Sequence, residues 1–131
     1  MVYGGGFSEM KMALAVDNLA KQEKGKESLC IESFARALRQ IPTIICDNAG
    51  LDSSEIISNL KKAINDGSNT AGIDINKGEV GDMKELGVFE CYRVKEQALL
   101  SASEAAEMII RVDMTFTAPK RERTDERTRP C

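Results

Sequence analysis

Three consecutive glycines, Gly4-Gly5-Gly6, stand directly ahead of a segment with helical periodicity. Glycine lets a backbone approach a ligand closely because no Cβ intervenes, and a helix N-terminus presents free N–H groups, so this arrangement can cradle an anionic group such as a phosphate. A plain entry loop accounts for the same residues. The two familiar phosphate-loop spacings are absent. Gly25-Lys26 has no glycine five residues before it, which excludes GxxxxGK[ST], and Glu9 occupies the place where GxGxxG requires its last glycine. Among the acidic residues, Asp82 and Glu90 stand in glycine-rich connectors, where carboxylates meet ligands more readily than on solvated helix faces. The chain has no histidine, which removes His-based triads, most zinc sites and histidine pH switching. Its four cysteines, Cys30, Cys46, Cys91 and Cys131, form no CxxC pair and read as structural or incidental thiols.

Composition narrows the classes further. The 131 residues suffice for one ordinary core, and the balance of 42% apolar to 30% charged residues is that of a soluble globular chain. Aromatic residues make up only 5%, so the core must be aliphatic and a base-stacking platform is disfavoured. A net charge of −3 argues against a broadly basic nucleic-acid surface. The N-terminus has no charged-then-apolar secretory pattern, and no apolar run approaches the roughly 18 residues of a membrane helix. These features predict a cytoplasmic protein with reduced thiols and with neither a nucleic acid nor a membrane as partner.

The elements that must position the glycines and carboxylates are mostly helical. Ser8 is a plausible N-cap for a first helix whose apolar stripe is Met12, Ala15, Val16 and Leu19. A polar loop over residues 21–26 leads to a second helix with Ile31, Phe34, Leu38 and Ile41 on one face. Pro42 is expected to kink or restart that helix, and Asn48-Ala49-Gly50 to end it. Asp52 followed by Glu55 has capping-box spacing and opens a third helix with Ile56, Leu60, Ala63 and Ile64 buried and Gly67 at its end. Ile73 and Ile75 alternate with Asp74 and Asn76 before Lys77-Gly78, which predicts a small β-hairpin over residues 71–80. Residues 82–86 form a short helical turn and residues 87–90 a connector. A last helix spans about residues 93–113, with Ala98, Ala102, Ala105, Ile109 and Val112 inward. Pro119–Cys131 holds five Lys/Arg, three Asp/Glu and no large apolar residue, and residues 118–131 are expected to be a disordered charged tail.

The run Tyr3-Gly4-Gly5-Gly6-Phe7-Ser8-Glu9-Met10 resembles the GGG-x-x-E segment of group II chaperonins, the family of the thermosome and the CCT/TRiC complex. The similarity continues in order through Ala35-Arg36-Ala37-Leu38, Ile41-Pro42-Thr43-Ile44-Ile45, Asp47-Asn48-Ala49-Gly50, Thr70-Ala71-Gly72-Ile73-Asp74, Gly81-Asp82-Met83, Val94-Lys95, Leu100-Ser101-Ala102-Ser103-Glu104-Ala105-Ala106 and Ile110-Arg111-Val112-Asp113. It covers residues 2 to about 117. The resemblance implies a mainly α fold, the C-terminal half of a chaperonin equatorial (ATPase) domain over residues 1–117, with a small β-hairpin. It implies a nucleotide-contacting glycine at Gly5 in a loop shaped by Gly4 and Gly6, a loop near the adenine at Gly72, an acidic residue at the ribose/adenine edge at Glu90, and a nearby basic residue at Lys95. Family members place Pro after that acid, where this chain has Cys91.

What the resemblance implies about function is bounded by what the chain lacks. The family's phosphate loop, magnesium-binding Asp and hydrolytic Asp have no match here. ATP or ADP is therefore the implied cofactor, with the Mg ligands on another part of the subunit and no catalytic or metal-binding residue in this stretch. A parent chaperonin hydrolyses ATP, but this segment lacks the groups that position water and neutralise phosphate charge. The implied partners are other chaperonin subunits in a hetero-oligomeric double ring, and unfolded client proteins gripped by an apical domain not present here. Residues 111–117 are expected to form a strand that joins a sheet with other strands. On its own the chain should expose apolar surface and self-associate in sizing experiments. The competing reading is a helical oligomerisation or interaction module whose glycines are structural and which binds no nucleotide.

Overall fold

The computed structural model of the protein describes residues 1–119. Its elements in chain order are β1 (Val2–Tyr3), α1 (Phe7–Ala20), α2 (Lys26–Asn48), α3 (Ser53–Asn65), β2 (Ala71–Asp74), β3 (Glu79–Asp82), β4 (Phe89–Glu90) and α4 (Tyr92–Ile110). The mainly α fold with a small hairpin is as expected. The expected charged tail, apart from its first two residues, lies outside the described residues. The chain divides into two compact units, residues 1–95 and residues from 96 onward.

In the first unit α1 and α2 pack together, and an ion pair between Asp17 and Arg39 ties them. Helix α3 and the hairpin close the other side of the core, where Met10, Cys46, Ile56, Leu60, Ala71 and Ile73 are buried against one another. Helix α3 follows its sequence closely. The Asp52 carboxylate accepts hydrogen bonds from the N–H groups of Ser54 and Glu55, which capping predicts. Strands β2 and β3 pair antiparallel with Ala71 opposite Asp82 and Asp74 opposite Glu79. The Asp74 carboxylate folds the turn by accepting from the N–H groups of Asn76 and Lys77, and Ile75 falls in that exposed turn rather than in the strand.

Other expectations are corrected. The N-cap of α1 is Gly6, in the left-handed region at φ 77°, and the Ser8 hydroxyl donates instead to the Tyr3 carbonyl. The buried face of α1 is Phe7, Glu9, Met10, Ala13 and Ala20, while Ala15 and Leu19 are exposed. Apolar residues surround much of α1, so periodicity alone does not select a side. Helix α2 runs unbroken through Pro42 and buries Ala35, Leu38, Pro42 and Cys46, leaving Phe34 and Ile41 about half exposed. Residues 87–90 are not only a connector, because Phe89 and Glu90 pair with Tyr3 and Val2 as a two-stranded antiparallel ladder.

The second unit begins within α4. That helix ends at Ile110, no residue on it is buried, and no strand forms over residues 111–117. The predicted stripe from Ala98 to Val112 is present as a pattern but is not covered within the described residues.

The core assignment makes a test. Leu60 is fully buried and Leu29 is 64% exposed, so Leu60→Ala is expected to destabilise by about 2–5 kcal/mol in chemical denaturation and Leu29→Ala by less than about 0.5 kcal/mol.

Candidate functional site

The glycine loop joins β1 to α1, and backbone hydrogen bonds fix it from three sides. The Gly4 N–H donates to the Val88 carbonyl at 3.1 Å, the Ile73 N–H donates to the Gly5 carbonyl at 2.9 Å, and the Met10 N–H donates to the Gly6 carbonyl at 3.1 Å. The β1–β4 ladder brings Glu90 opposite Val2, two residues before the loop. Tyr3 reinforces that pairing, with its ring 5.6 Å from Phe89 and 6.3 Å from Phe7 between centroids. Three segments far apart in sequence therefore meet: residues 4–6, the strand carrying Gly72, and the stretch from Glu90 to Lys95.

Glycine is required here for close approach as well as for backbone angle. Gly5 has φ 64°, and a Cβ on it would stand 2.6 Å from the Met83 sulfur and 3.0 Å from the Ile73 nitrogen. A Cβ on Gly72 would stand 2.5 Å from Met83 Cγ and 3.1 Å from the Gly4 carbonyl oxygen. Met83 is fully buried and fills the space that these two glycines leave. A Cβ on Gly4 would lie 2.8 Å from Glu90 Oε1, so the Glu90 carboxylate rests against the glycine loop itself.

The charged groups form one cluster. Lys95 Nζ is bonded to Glu9 and lies 2.6 Å from Glu90 Oε2. Burial by itself would lower the pKa of the Lys95 ammonium, but the hydrogen bonds to Glu9 and Glu90 and their charges outweigh it, so its pKa stands above the ordinary lysine value. The Glu9 side chain is 7% exposed, that of Lys95 17% and that of Glu90 41%. Glu90 is thus the member that faces solvent and has an oxygen to offer a ligand. Asp82, the other carboxylate singled out by position, accepts from the Lys84 N–H at 2.8 Å and shapes the turn after β3. That bond comes first among the causes that hold its carboxyl below the usual range.

All six residues expected at the site, Gly4, Gly5, Gly6, Gly72, Glu90 and Lys95, converge on this place. Two participants were not legible as site residues. In the sequence Glu9 breaks GxGxxG and supplies the acid of the GGG-x-x-E run, with no site role attached to it; its position in the first turn of α1, where a helix dipole favours a carboxylate, is the signal that marks it. Met83 carries no local signal, because its role depends on which glycines face it. Two open clefts of about 400 Å³ exist elsewhere, one lined by Asp17, Lys21, Arg39 and Lys61 and one by Asp52, Glu55, Asn59 and Gly78; neither includes the glycine loop. No group of three potential metal-ligating side chains occurs among the described residues. The packing predicts that Gly72→Ala, which forces Met83 from its seat, lowers stability by about 1–3 kcal/mol in chemical denaturation.

Comparison with known proteins identifies the family. The family description "TCP-1/cpn60 chaperonin family" matches residues 1–120. The chain is 52% identical over 130 residues to T-complex protein 1 subunit beta of Homo sapiens, covering 99% of this chain and 24% of that protein. It is 52% identical over 120 residues to the same subunit of Saccharomyces cerevisiae, covering 92% and 23%. Among solved structures, the open-state monomer of a group II chaperonin from Methanococcoides burtonii superposes with a TM-score of 0.81 at 41% identity, over 85% of this chain and 28% of that one. The chain spans about a quarter of the length of the curated relatives it matches. By the family match, by identity along nearly its whole length and by fold, this chain belongs to the TCP-1/cpn60 chaperonin family.

Proposed function

We propose that this chain forms one wall of an adenine-nucleotide site in the equatorial domain of an ATP-dependent chaperonin subunit that assists protein folding. The observation that carries the reading is the convergence of Gly4–Gly6, Gly72 and Glu90 from three separate segments onto one backbone junction. The residues fit such a ligand. Gly4, Gly5 and Gly6 offer backbone without Cβ at the start of a 14-residue helix, Gly72 lies beside them, and the half-exposed Glu90 carboxylate can accept from ribose hydroxyls. Bound ATP supplies the phosphoanhydride whose cleavage drives a chaperonin cycle. The residues of this chain bind and orient, while Mg ligation and water activation belong to other parts of the subunit.

The wider role rests on the same reading. Its partners are other chaperonin subunits in a double ring and unfolded clients engaged by an apical domain, with a cytoplasmic location and no nucleic acid or membrane. No helix among the described residues is long and apolar enough to cross a membrane. A second reading has its own support: Gly5, Gly6 and Gly72 pack so closely on Met83 and Pro42 that structure alone would require them. On that reading the chain is a helical interaction module without nucleotide affinity.

Glu90 separates the two. Removing its side chain leaves Lys95 paired with Glu9, so the fold should survive. In a chimeric beta subunit carrying residues 1–117 of this chain in place of the matching yeast stretch, Glu90→Ala is expected to weaken ATP binding about tenfold or more by calorimetry. Its denaturation midpoint should stay nearly unchanged. Unaltered ATP affinity would remove Glu90 from the site and favour the interaction module.

A further inference from the structure

We infer that Glu9 is a positioning residue for the nucleotide-facing carboxylate and acts through Lys95, which it clamps from behind so that Glu90 keeps one oxygen committed and one free. The inference rests on the reading of Glu90 as the ribose-facing group. Lys95 Nζ stands between two carboxylates of unequal burial, Glu9 on the inner side and Glu90 on the outer. Glu90 Oε2 takes the ammonium at 2.6 Å, and Oε1 lies against the glycine loop, where a Cβ on Gly4 would be 2.8 Å away. The carboxylate is therefore confined by Lys95 on one side and by Gly4 on the other.

A lysine held by a half-exposed carboxylate alone would be a weak and mobile tether, because an exposed pair gains little against solvent and side-chain entropy. Glu9 changes this. It is 5% exposed and sits third in α1, so its backbone is rigid and the helix dipole favours its charge. Its Oε2 is buried without a hydrogen-bond partner among the described residues, an arrangement that costs free energy. The cluster holds two carboxylates and one ammonium, so one negative charge is left over. The burial gradient places the accessible part of it on Glu90, where a hydroxyl donor can reach.

The test is the ratio of ATP to 2′-deoxy-ATP affinity in the same assembled chimeric subunit, a quantity that a loss of folded material does not move. The unsubstituted protein is expected to prefer ATP about tenfold, and Glu90→Ala to bring the ratio near one. Glu9→Gln should shrink the preference by about threefold or more. Lys95→Gln should do the same, and the double variant should be no worse than either alone, as expected of residues acting in series. If Glu90→Ala leaves the ratio intact, the ribose reading fails and the inference with it. If Glu90→Ala collapses the ratio and Glu9→Gln does not, the ribose reading stands and the positioning role is overturned. A second readout needs no nucleotide. An NMR titration of the Lys95 side chain in the 131-residue chain should move to lower pH on Glu9→Gln, because the raised pKa loses a partner that sustains it. An unmoved titration would contradict the clamp.

Discussion

The architecture around the site depends on the approach of two backbones. The Ile73 N–H reaches the Gly5 carbonyl at 2.9 Å, and neither residue 5 nor residue 72 can carry a side chain without striking Met83 or the opposing main chain. That contact sews the start of the chain to the hairpin. It also sets where α1 begins, because Gly6, with its positive φ, turns the chain from the loop into the helix. Once α1 is placed, Met10 falls into the core beside Leu60 and Ile73, and Glu9, one residue earlier, turns toward Lys95. Lacking Cβ, the glycines let the fold close on itself, and on the proposed reading the same lack lets a nucleotide approach the loop.

Electrostatics complete what packing begins. A buried carboxylate such as Glu9 is costly unless something neutralises it. Lys95 does so and extends the neutralisation outward to Glu90. The raised Lys95 pKa fixes the pH range over which this holds. A lysine whose folded pKa lies above its unfolded one stabilises fully below the ordinary lysine value, and the contribution disappears as pH rises through the folded value. At neutral pH the Lys95 ammonium is therefore charged and keeps its ties to Glu9 and Glu90, and the more exposed of the two partners is Glu90.

Local chemistry was legible in the sequence where it acts locally. Asp52 caps α3, Ile56 and Leu60 define its single buried face, and the Asp74 turn makes a hairpin. The candidate site residues were picked out for a related reason, since glycines and acids in connectors are conspicuous and the resemblance to chaperonins orders them, and the structure brings them together at one junction. Non-local geometry was not. Two-residue strands such as β1 and β4 carry no periodicity, and their pairing becomes visible only when residues 2–3 and 89–90 are brought together. The burial of Pro42 within a continuous α2 follows from Gly6 packing onto it, a contact that helix propensity cannot express. The stripe on α4 shows that an apolar pattern records a face suited to burial without naming what buries it. Glu9 was missed because its importance lies in a partner 86 residues away.

The central claim is that these residues form one wall of a nucleotide site shared with another part of the subunit. It is tested most directly by calorimetric titration of ATP into two proteins: this chain alone, and this chain joined to the preceding equatorial half of the yeast beta subunit. The account predicts saturable binding by the joined protein and little or none by the chain alone, because the groups that neutralise phosphate charge are supplied by the other half. No binding by a joined protein that folds cooperatively would contradict it, and the glycine loop would then be scaffolding for the fold.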